Sequence, residues 1–453
     1  MSKVVRLREG YRRDDIQHLL HGATVPSEIR KNVNRIYREG HGVRLIDIEG
    51  KEYIDAMSSG LVASLGYGNQ ELAEAARAQM STLHSAPSFA NRSNTVEIDL
   101  ARKLAEVTPP GISRFMFTNS GSDANDSAIK IVRWYWREKG QNKYKIISQD
   151  NAYHGATFGA MSASSFPGFS HENFAPFLPG FVKVPNFYCY RCPFGKSYPG
   201  CGVECAQNLE KTIQKEGEDT VAAFLCEPVE TSAGTLIPPP EYWPKVREIC
   251  NKHHVLLITD EYITGFGRMG KWFASEYWNL QPDLVMFAKG LASGYMPMGC
   301  IGITEEIYQG MIKRDNPFAH VFTYGGHPVS CAVALKTIEI IERESLLEKA
   351  IEMEKHIRSR LHHLQEESPY IGDVRGLGLY FGIELVEDKK TRTPFDPAKN
   401  VSAGVRARLY EKGMIVGGFG PNNITLGPPL IITKDEIDFV LDGLEWGVKG
   451  IEP

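Results

Sequence analysis

What the chain lacks narrows it first. Across 453 residues no apolar run approaches the ~20 residues needed to cross a bilayer. The opening "MSKVVRLREG" carries no apolar core of a secretory leader. Neither charge dominates: 51 Lys and Arg against 55 Asp and Glu leave a net charge of -4, which argues against nucleic-acid and membrane partners. The basic stretch "VVRLREGYRR" is short and soon followed by acids, as in a solvated terminus. There is no internal repeat and no low-complexity tract. What remains is an ordinary globular balance, 42% hydrophobic and 23% charged, expected of a cytoplasmic protein of enzyme size.

Cysteine is scarce as well, with eight residues, but four of them cluster in "CYRCPFGKSYPGCGVEC". Cys189, Cys192, Cys201 and Cys205 stand in a C-x2-C-x8-C-x3-C spacing, and two such turns can close a tetrahedron around zinc. The loop between them is shorter than in zinc ribbons. The plainer reading is a set of reduced thiols in an aromatic, proline-rich excursion. A reducing compartment disfavours a disulfide. The expectation is no metal, with zinc as the alternative.

The chain is long enough for two or three domains, or for one large α/β domain with an appendage. From about Phe115 to Thr304, short apolar runs alternate with helical patterns: "RFMFTN", "YKIISQ", "VAAFLCEP", "VLLITDEY", "DLVMFAKG" and "MGCIGIT". Near-continuous apolar runs of strand length are how strands covered on both faces read. Helices over Asp123–Glu138 and Glu241–His253 fall between them. The alternation implies an α/β fold with a largely parallel sheet and right-handed crossovers. A helix from Pro328 to Glu342 leads into a charged helix around Leu346–Leu364, a strand "VRGLGLYFGIELV", a helix near Ala403–Lys412 and a closing helix from Lys434. The N-terminal "GVRLIDIEGKEYIDAMS" reads as a hairpin turning at Glu49-Gly50 and packing with this later part. Residues 61–327 therefore form the expected large domain, and residues 1–60 with 328–453 a smaller α+β domain.

In an open parallel sheet, ligands gather at the carboxyl ends of the strands, and five groups are expected there. In "FTNSGSDANDSAIK" a strand ends and a helix begins, so Ser120, Gly121 and Ser122 offer free amides and hydroxyls at the positive end of a helix. That suits a phosphate, or simply an N-cap. Tyr153 and His154 follow the strand "YKIISQ", placing an aromatic where it could lie against a planar ligand or merely pack in a turn. Glu227 and Glu230 follow "VAAFLC", for which capping and solvated-turn roles would suffice. Asp260 ends "VLLITD", and Lys289 follows "DLVMFA". A lysine at a buried strand end needs a charge partner or deprotonation, so a plain Asp260–Lys289 ion pair is the simplest account. Taken together, the five suit one planar, phosphate-bearing ring with a basic nitrogen and an electrophilic carbonyl. Pyridoxal 5′-phosphate meets each requirement. Its phosphate would sit at Gly121–Ser122, with Tyr153 stacked on the ring, Asp260 on the ring nitrogen and Lys289 in a Schiff base with the carbonyl.

The stretch "DEYITGFGRMGKWFASEYWNLQPDLVMFAKGLASGYMPMG" resembles the signature of the class III pyridoxal-phosphate aminotransferases, of fold type I. The likeness continues through "NSGSDANDSAIK", "YHG", "EPV", "TYGGHPVSCAVAL", "VRGLGLYFGIEL" and "PPLIIT", in order, from about Ile29 onward. The branch that passes ω-amino groups to pyruvate is most similar, and the cysteine-rich excursion is similar to that of taurine–pyruvate aminotransferases. The resemblance implies transfer of an amino group from a primary amine or ω-amino acid to a keto acid, pyruvate foremost, through Lys289 and by ping-pong kinetics. It implies a homodimer or dimer of dimers in which Thr323 reaches the neighbouring subunit's cofactor phosphate. It places Ile263 on the ring face opposite Tyr153 and Glu227 in the site wall. Other chemistry on the same scaffold, epimerisation or decarboxylating transamination, is the alternative.

Some positions depart from the family pattern. Tyr262 stands where a smaller residue is usual, and Met269 where Thr is. Leu61 falls where a pocket Trp is common, implying a less aromatic amine pocket. Ser232 replaces a glutamate, and the loop around Gly418 lacks the arginine that other branches use for a carboxylate. Arg375 and Arg268 are the candidates left for that role.

Overall fold

The structure, a computed structural model, describes residues 3–29, 35–167, 171–312 and 316–451. Near the N-terminus, β1 (Tyr37–His41), β2 (Arg44–Asp47) and β3 (Glu52–Asp55) form an antiparallel meander. The Asp47 carboxylate holds its second turn, accepting from the amides of Glu49 and Lys51 at 2.9 Å each. This is the hairpin expected at Glu49-Gly50. β1, "YREGH", is too polar to have been legible as a strand.

Seven strands build the central sheet: β4 (Ile112–Thr118), β5 (Lys145–Gln149), β6 (Phe181–Val184), β7 (Val221–Cys226), β8 (Leu256–Asp260), β9 (Leu284–Phe287) and β10 (Gly299–Thr304). Their order across the sheet is β4-β10-β9-β8-β7-β5-β6. All neighbouring pairs are parallel except those of β10, which runs antiparallel to both β4 and β9. Every residue of β7, β8 and β9 is buried. Helices cover both faces, which explains the unbroken apolar runs. Burying each such Leu, Ile, Val or Phe side chain is worth roughly 1.5–3 kcal/mol. The crossover helix Gly121–Glu138 turns Ala124, Ala128, Ile131, Val132 and Tyr135 inward. The helix Tyr242–Lys252 buries Trp243, Val246 and Cys250 on the other side.

Beyond the long helix Pro328–Arg343, a second unit contains β11 (Ile371–Leu377), β12 (Tyr380–Leu385), β13 (Met414–Ile415) and β14 (Asn423–Leu426). The expected single strand "VRGLGLYFGIELV" is instead a hairpin, β11 against β12, reversing at Gly378 with φ +56°. A Cβ there would stand 2.4 Å from the Met269 backbone, so the turn requires glycine. β13 pairs in parallel with β3, joining residues near 414 to residues near 54 in one four-stranded sheet.

Candidate active site

Asp260 and Glu261 are adjacent carboxylates at the end of β8, and the fold uses them in opposite ways. Glu261 points into the protein. It accepts from the amides of Ala274 (2.7 Å) and Ser275 (3.0 Å) and from the hydroxyls of Thr264 (2.7 Å) and Ser275, so it clamps the turn that follows. Asp260 faces a cavity of about 210 Å³ at the carboxyl edge of the sheet. Gly121, Ser122, Tyr153, His154, Glu227, Ile263 and Lys289 line that cavity with it, and so do Gly155, Tyr262 and Ala288. Strand order accounts for this convergence. β8 and β9 are parallel neighbours with Asp260 paired to Met286, so Lys289 emerges just past the adjacent strand end. β7 delivers Glu227 on the opposite side, and the loop after β5 brings Tyr153 and His154.

The phosphate seat expected at Ser120–Ser122 is the start of an 18-residue helix. The Ser120 side chain caps it, accepting from the Asp123 amide at 3.2 Å, and leaves the wall itself to Gly121 and Ser122. Backbone approaches closely here. A Cβ on Gly155, whose φ is +137°, would stand 2.5 Å from Ser122 Oγ, and one on Gly121 would stand 3.2 Å from the Tyr262 ring. Tyr262 therefore lies against the seat, and its hydroxyl donates to the Gly121 carbonyl at 2.5 Å. It and Ile263 both form wall, where the sequence had singled out Ile263.

Asp260 is held from two sides. His154 Nδ1 lies 2.8 Å from Oδ2, and the Tyr262 amide donates to Oδ1 at 3.1 Å. Burial pushes the Asp260 carboxyl up, opposed by the Tyr262 amide and by Lys289. Burial pushes Lys289 down, opposed by Asp260 and Glu227. Among the described residues no ion pair joins the two within 4.0 Å, so the plain salt bridge is not formed. His154 is pushed down to about 4 by burial, which holds it as a neutral imidazole. Its Nε2 is buried without a partner. Glu227 Oε2 accepts from the Thr231 amide at 3.0 Å and from its hydroxyl, and Oε1 has no partner. Burial and then Asp260 push Glu227 up to about 7.

Other expected residues lie elsewhere. Glu230 is in no solvated turn: it is 0% exposed. Leu61 is buried in an apolar cluster with Val229, Met269 and Tyr380, against which Ile263 packs. Gly418 turns toward Asn423, where a Cβ would stand 2.6 Å from the carbonyl oxygen. Thr323 is exposed, beside Tyr324 at 65%. The four clustered cysteines line one void of about 20 Å³ and are unpaired. Among the described residues no group of three or more Cys, His, Asp or Glu is arranged to hold a metal. Arg375 is taken by Asp373 and Glu384, both at 2.7 Å, and by the Gly234 carbonyl at 2.8 Å. Arg268 is spent on the Pro428 carbonyl and on Ser58 Oγ at 3.3 Å. Neither serves the cavity. Sequence reasoning missed Lys183, half-buried on β6 and bonded to Ser148 Oγ at 2.8 Å; as a single residue of a short strand it gave no signal.

The wall thus combines a helix N-terminus without side-chain bulk, a buried acid oriented by a neutral imidazole, an aromatic and a half-buried lysine. These residues fit a planar phosphate-bearing aldehyde with a ring nitrogen. The profile of the class-III aminotransferases matches residues 27–447, and the chain belongs to that family, whose members depend on pyridoxal phosphate. It is 38% identical over 423 residues to a putrescine–pyruvate aminotransferase of Pseudomonas aeruginosa, covering 93% of this chain and 92% of that one. It is 39% identical over 431 residues to a taurine–pyruvate aminotransferase of Bilophila wadsworthia, covering 92% of each. Among solved structures, an (S)-enantioselective omega-transaminase from Thermomicrobium roseum superposes with a TM-score of 0.94 at 39% identity, covering 97% of this chain and 98% of that one. The Pseudomonas jessenii omega-transaminase in complex with PMP gives 0.93 at 36%, covering 96% and 97%.

Proposed function

We propose that this class III aminotransferase moves an amino group from a primary amine to pyruvate in two half-reactions at the cavity, with Lys289 and Asp260 as its catalytic residues. The observation that carries the reading is the placement of a half-buried lysine and a buried, doubly held carboxyl on neighbouring strand ends of one cavity. When bound, pyridoxal phosphate supplies a carbonyl that captures the donor's nitrogen and a ring that draws electrons from the adjacent carbon. Lys289 would hold that carbonyl between turnovers. Its freed amine would take the proton from the donor carbon and deliver it, across the nitrogen, to the former carbonyl carbon. Desolvation lowers the proton affinity of this amine, the direction a base requires.

Asp260, steadied by His154 and the Tyr262 amide, would accept from a ring N–H. His154 is a positioning residue: a neutral imidazole with Nδ1–H toward Asp260 would leave the carboxylate charge for the ring. Gly121, Ser122 and the helix dipole would receive the phosphate, and Tyr153 and Ile263 would flank the ring. Release of the first product before the acceptor enters gives ping-pong kinetics. The two pyruvate-using relatives support pyruvate as acceptor. Exposed Thr323, Val321 and Tyr324 support a dimer in which Thr323 completes the partner subunit's phosphate seat. Eight free thiols support a cytoplasmic setting. The test is product analysis with pyruvate and 2-oxoglutarate offered separately. Alanine formation with parallel-line initial-rate plots is expected; glutamate alone would replace the acceptor, and neither product would remove the reading.

A further inference from the structure

His320 is half-buried in a stretch without helix or strand, and the proposed mechanism makes no use of it. Its ring is nevertheless bonded at both nitrogens. Nε2 lies 2.7 Å from Ser127 Oγ, and Nδ1 lies 3.1 Å from Lys130 Nζ. Both partners stand on the helix Gly121–Glu138, whose first turn is the phosphate seat. The proton positions follow from the neighbours. The Ser127 hydroxyl donates to the Asp123 carbonyl at 2.7 Å, so its oxygen receives the proton of Nε2–H. An ammonium can only donate, so Nδ1 accepts from Lys130. The imidazole is therefore neutral.

Its surroundings favour that state. The ring lies edge-to-face against Phe318, at 5.6 Å between centres, and against Phe322, at 5.0 Å. Burial and then Lys130 push the imidazole below its ordinary value, opposed by Asp126 and Asp123 from the same helix. Asp126 is drawn off by the Thr157 hydroxyl (2.9 Å) and the Ala160 amide (3.0 Å). Glu97, on the helix Thr95–Val107, lines the same cavity as His320 but accepts from Ser88 and from the Asn94 side chain at 3.3 Å. β4 presents Phe115, Met116 and Phe117 there, none of them charged. A proton added at Nδ1 would face the Lys130 ammonium across 3.1 Å and remove its acceptor.

His320 anchors one end of a short span. Gly325 and Gly326 anchor the other: a Cβ on Gly325 would stand 2.6 Å from the Phe117 carbonyl oxygen, and the Gly326 carbonyl accepts from the Asn94 side chain at 3.0 Å. Val321, Phe322, Thr323 and Tyr324 lie between, in no helix or strand. Thr323 is the residue proposed to complete the partner subunit's phosphate seat. We infer that His320 is a positioning residue: clasped as a neutral imidazole between Ser127 and Lys130 it fixes the span that carries Thr323, and its protonation releases that span. A released imidazole takes up a proton near pH 6.5, and the clasped one only at lower pH. The clasp is thus intact above that value and weakens as pH falls through it. The inference rests on the proposed dimer only for what Thr323 meets once it is placed.

Hydrogen exchange read by mass spectrometry tests the clasp on the cofactor-loaded enzyme. Peptides covering residues 318–327 are followed at pH 5.5 and 7.5, corrected for intrinsic exchange, in wild type and in Lys130→Met. That substitution changes an exposed side chain and removes the like charge while leaving the bond to Ser127. Wild type should exchange this span at least three-fold faster at the lower pH, and Lys130→Met should show less than half that increase. A smaller rise in wild type, or a rise of the same size in both proteins, would overturn the inference. His320→Phe keeps a ring between Phe318 and Phe322 and should exchange fast and alike at both pH values; wild-type protection at pH 7.5 would overturn the inference as well. Cofactor release after dilution, followed by its absorbance, separates the clasp from the dimer reading. Release should quicken at pH 5.5 in wild type and less so in Lys130→Met. Equal release from both proteins, with the exchange result intact, would leave the clasp standing and remove Thr323 from the partner subunit's seat.

Discussion

Glu230 offers the most direct check on the electrostatics of the site. It is fully buried, and burial, then Glu227, then Asp150 push it above the ordinary carboxylate range, opposed by the Asn186 side-chain amide. That amide also donates to the Asp150 carbonyl at 3.1 Å. The folded protein therefore keeps a proton here that the unfolded chain releases near pH 4.3. For a group whose folded affinity is raised, each pH unit above that value costs the fold about 1.4 kcal/mol, until the folded carboxyl itself ionises. Glu230→Gln keeps the shape and removes the titration. Relative to wild type, the variant should gain stability as pH rises from 5 to 8, by about 1.4 kcal/mol for each pH unit over which the folded carboxyl keeps its proton. For 453 residues each such unit is about 1.5 °C in Tm. Thermal melts of both proteins at half-unit pH steps provide the assay. Parallel Tm profiles across that range would show an ionised, compensated carboxylate and refute the reasoning.

Lys289→Ala should lower turnover by about 10³-fold or more, and borohydride should no longer fix the cofactor to the chain; trapping at another residue, seen by peptide mass, would move the assignment. Asp260→Asn should keep the cofactor bound yet slow single-turnover proton transfer by about 10²-fold or more, whereas a near-normal rate would remove its role at the ring nitrogen. Gly155→Ala puts a methyl 2.5 Å from Ser122 Oγ at φ +137° and should cost about 1–3 kcal/mol, with weaker cofactor affinity measured by fluorescence titration; unchanged affinity would count against the close approach. Arg375→Ala leaves Glu384 with Arg191 and Tyr188 but takes the partner of Asp373 and a donor from the Gly234 carbonyl, and should cost about 1–3 kcal/mol in denaturant unfolding; an unchanged midpoint would show the guanidinium to be dispensable.

Much of this is legible in the sequence alone. The central strands could be read because helices cover both faces, so their residues run apolar without a break, and the acid and lysine stood out against that background. Strand direction is not written in such a run, which is why β10 turned antiparallel without warning. The hairpin of β11 and β12 was hidden because apolar residues continue through "GLGLYF", and only the close approach of Met269 to Gly378 makes the reversal necessary. The fates of Arg375 and Arg268 depend on Gly234 and Pro428, 141 and 160 positions away. Glu230 looked solvated because its neighbours in sequence are polar; its burial comes from Tyr242, Asn186 and the sheet. In each case the missing information was tertiary.

The pairing of β3 with β13 bears on how the molecule is assembled. An N-terminal hairpin leaving the ribosome early has one edge that finds its hydrogen-bonding mate only when Met414 and Ile415 arrive, some 360 residues later. Until then that edge is exposed to chance pairing with other chains, the hazard attached to contacts of long sequence separation. Nascent chains stalled before this point should accordingly depend on holdase chaperones, and full-length chains should shed them on completing the sheet.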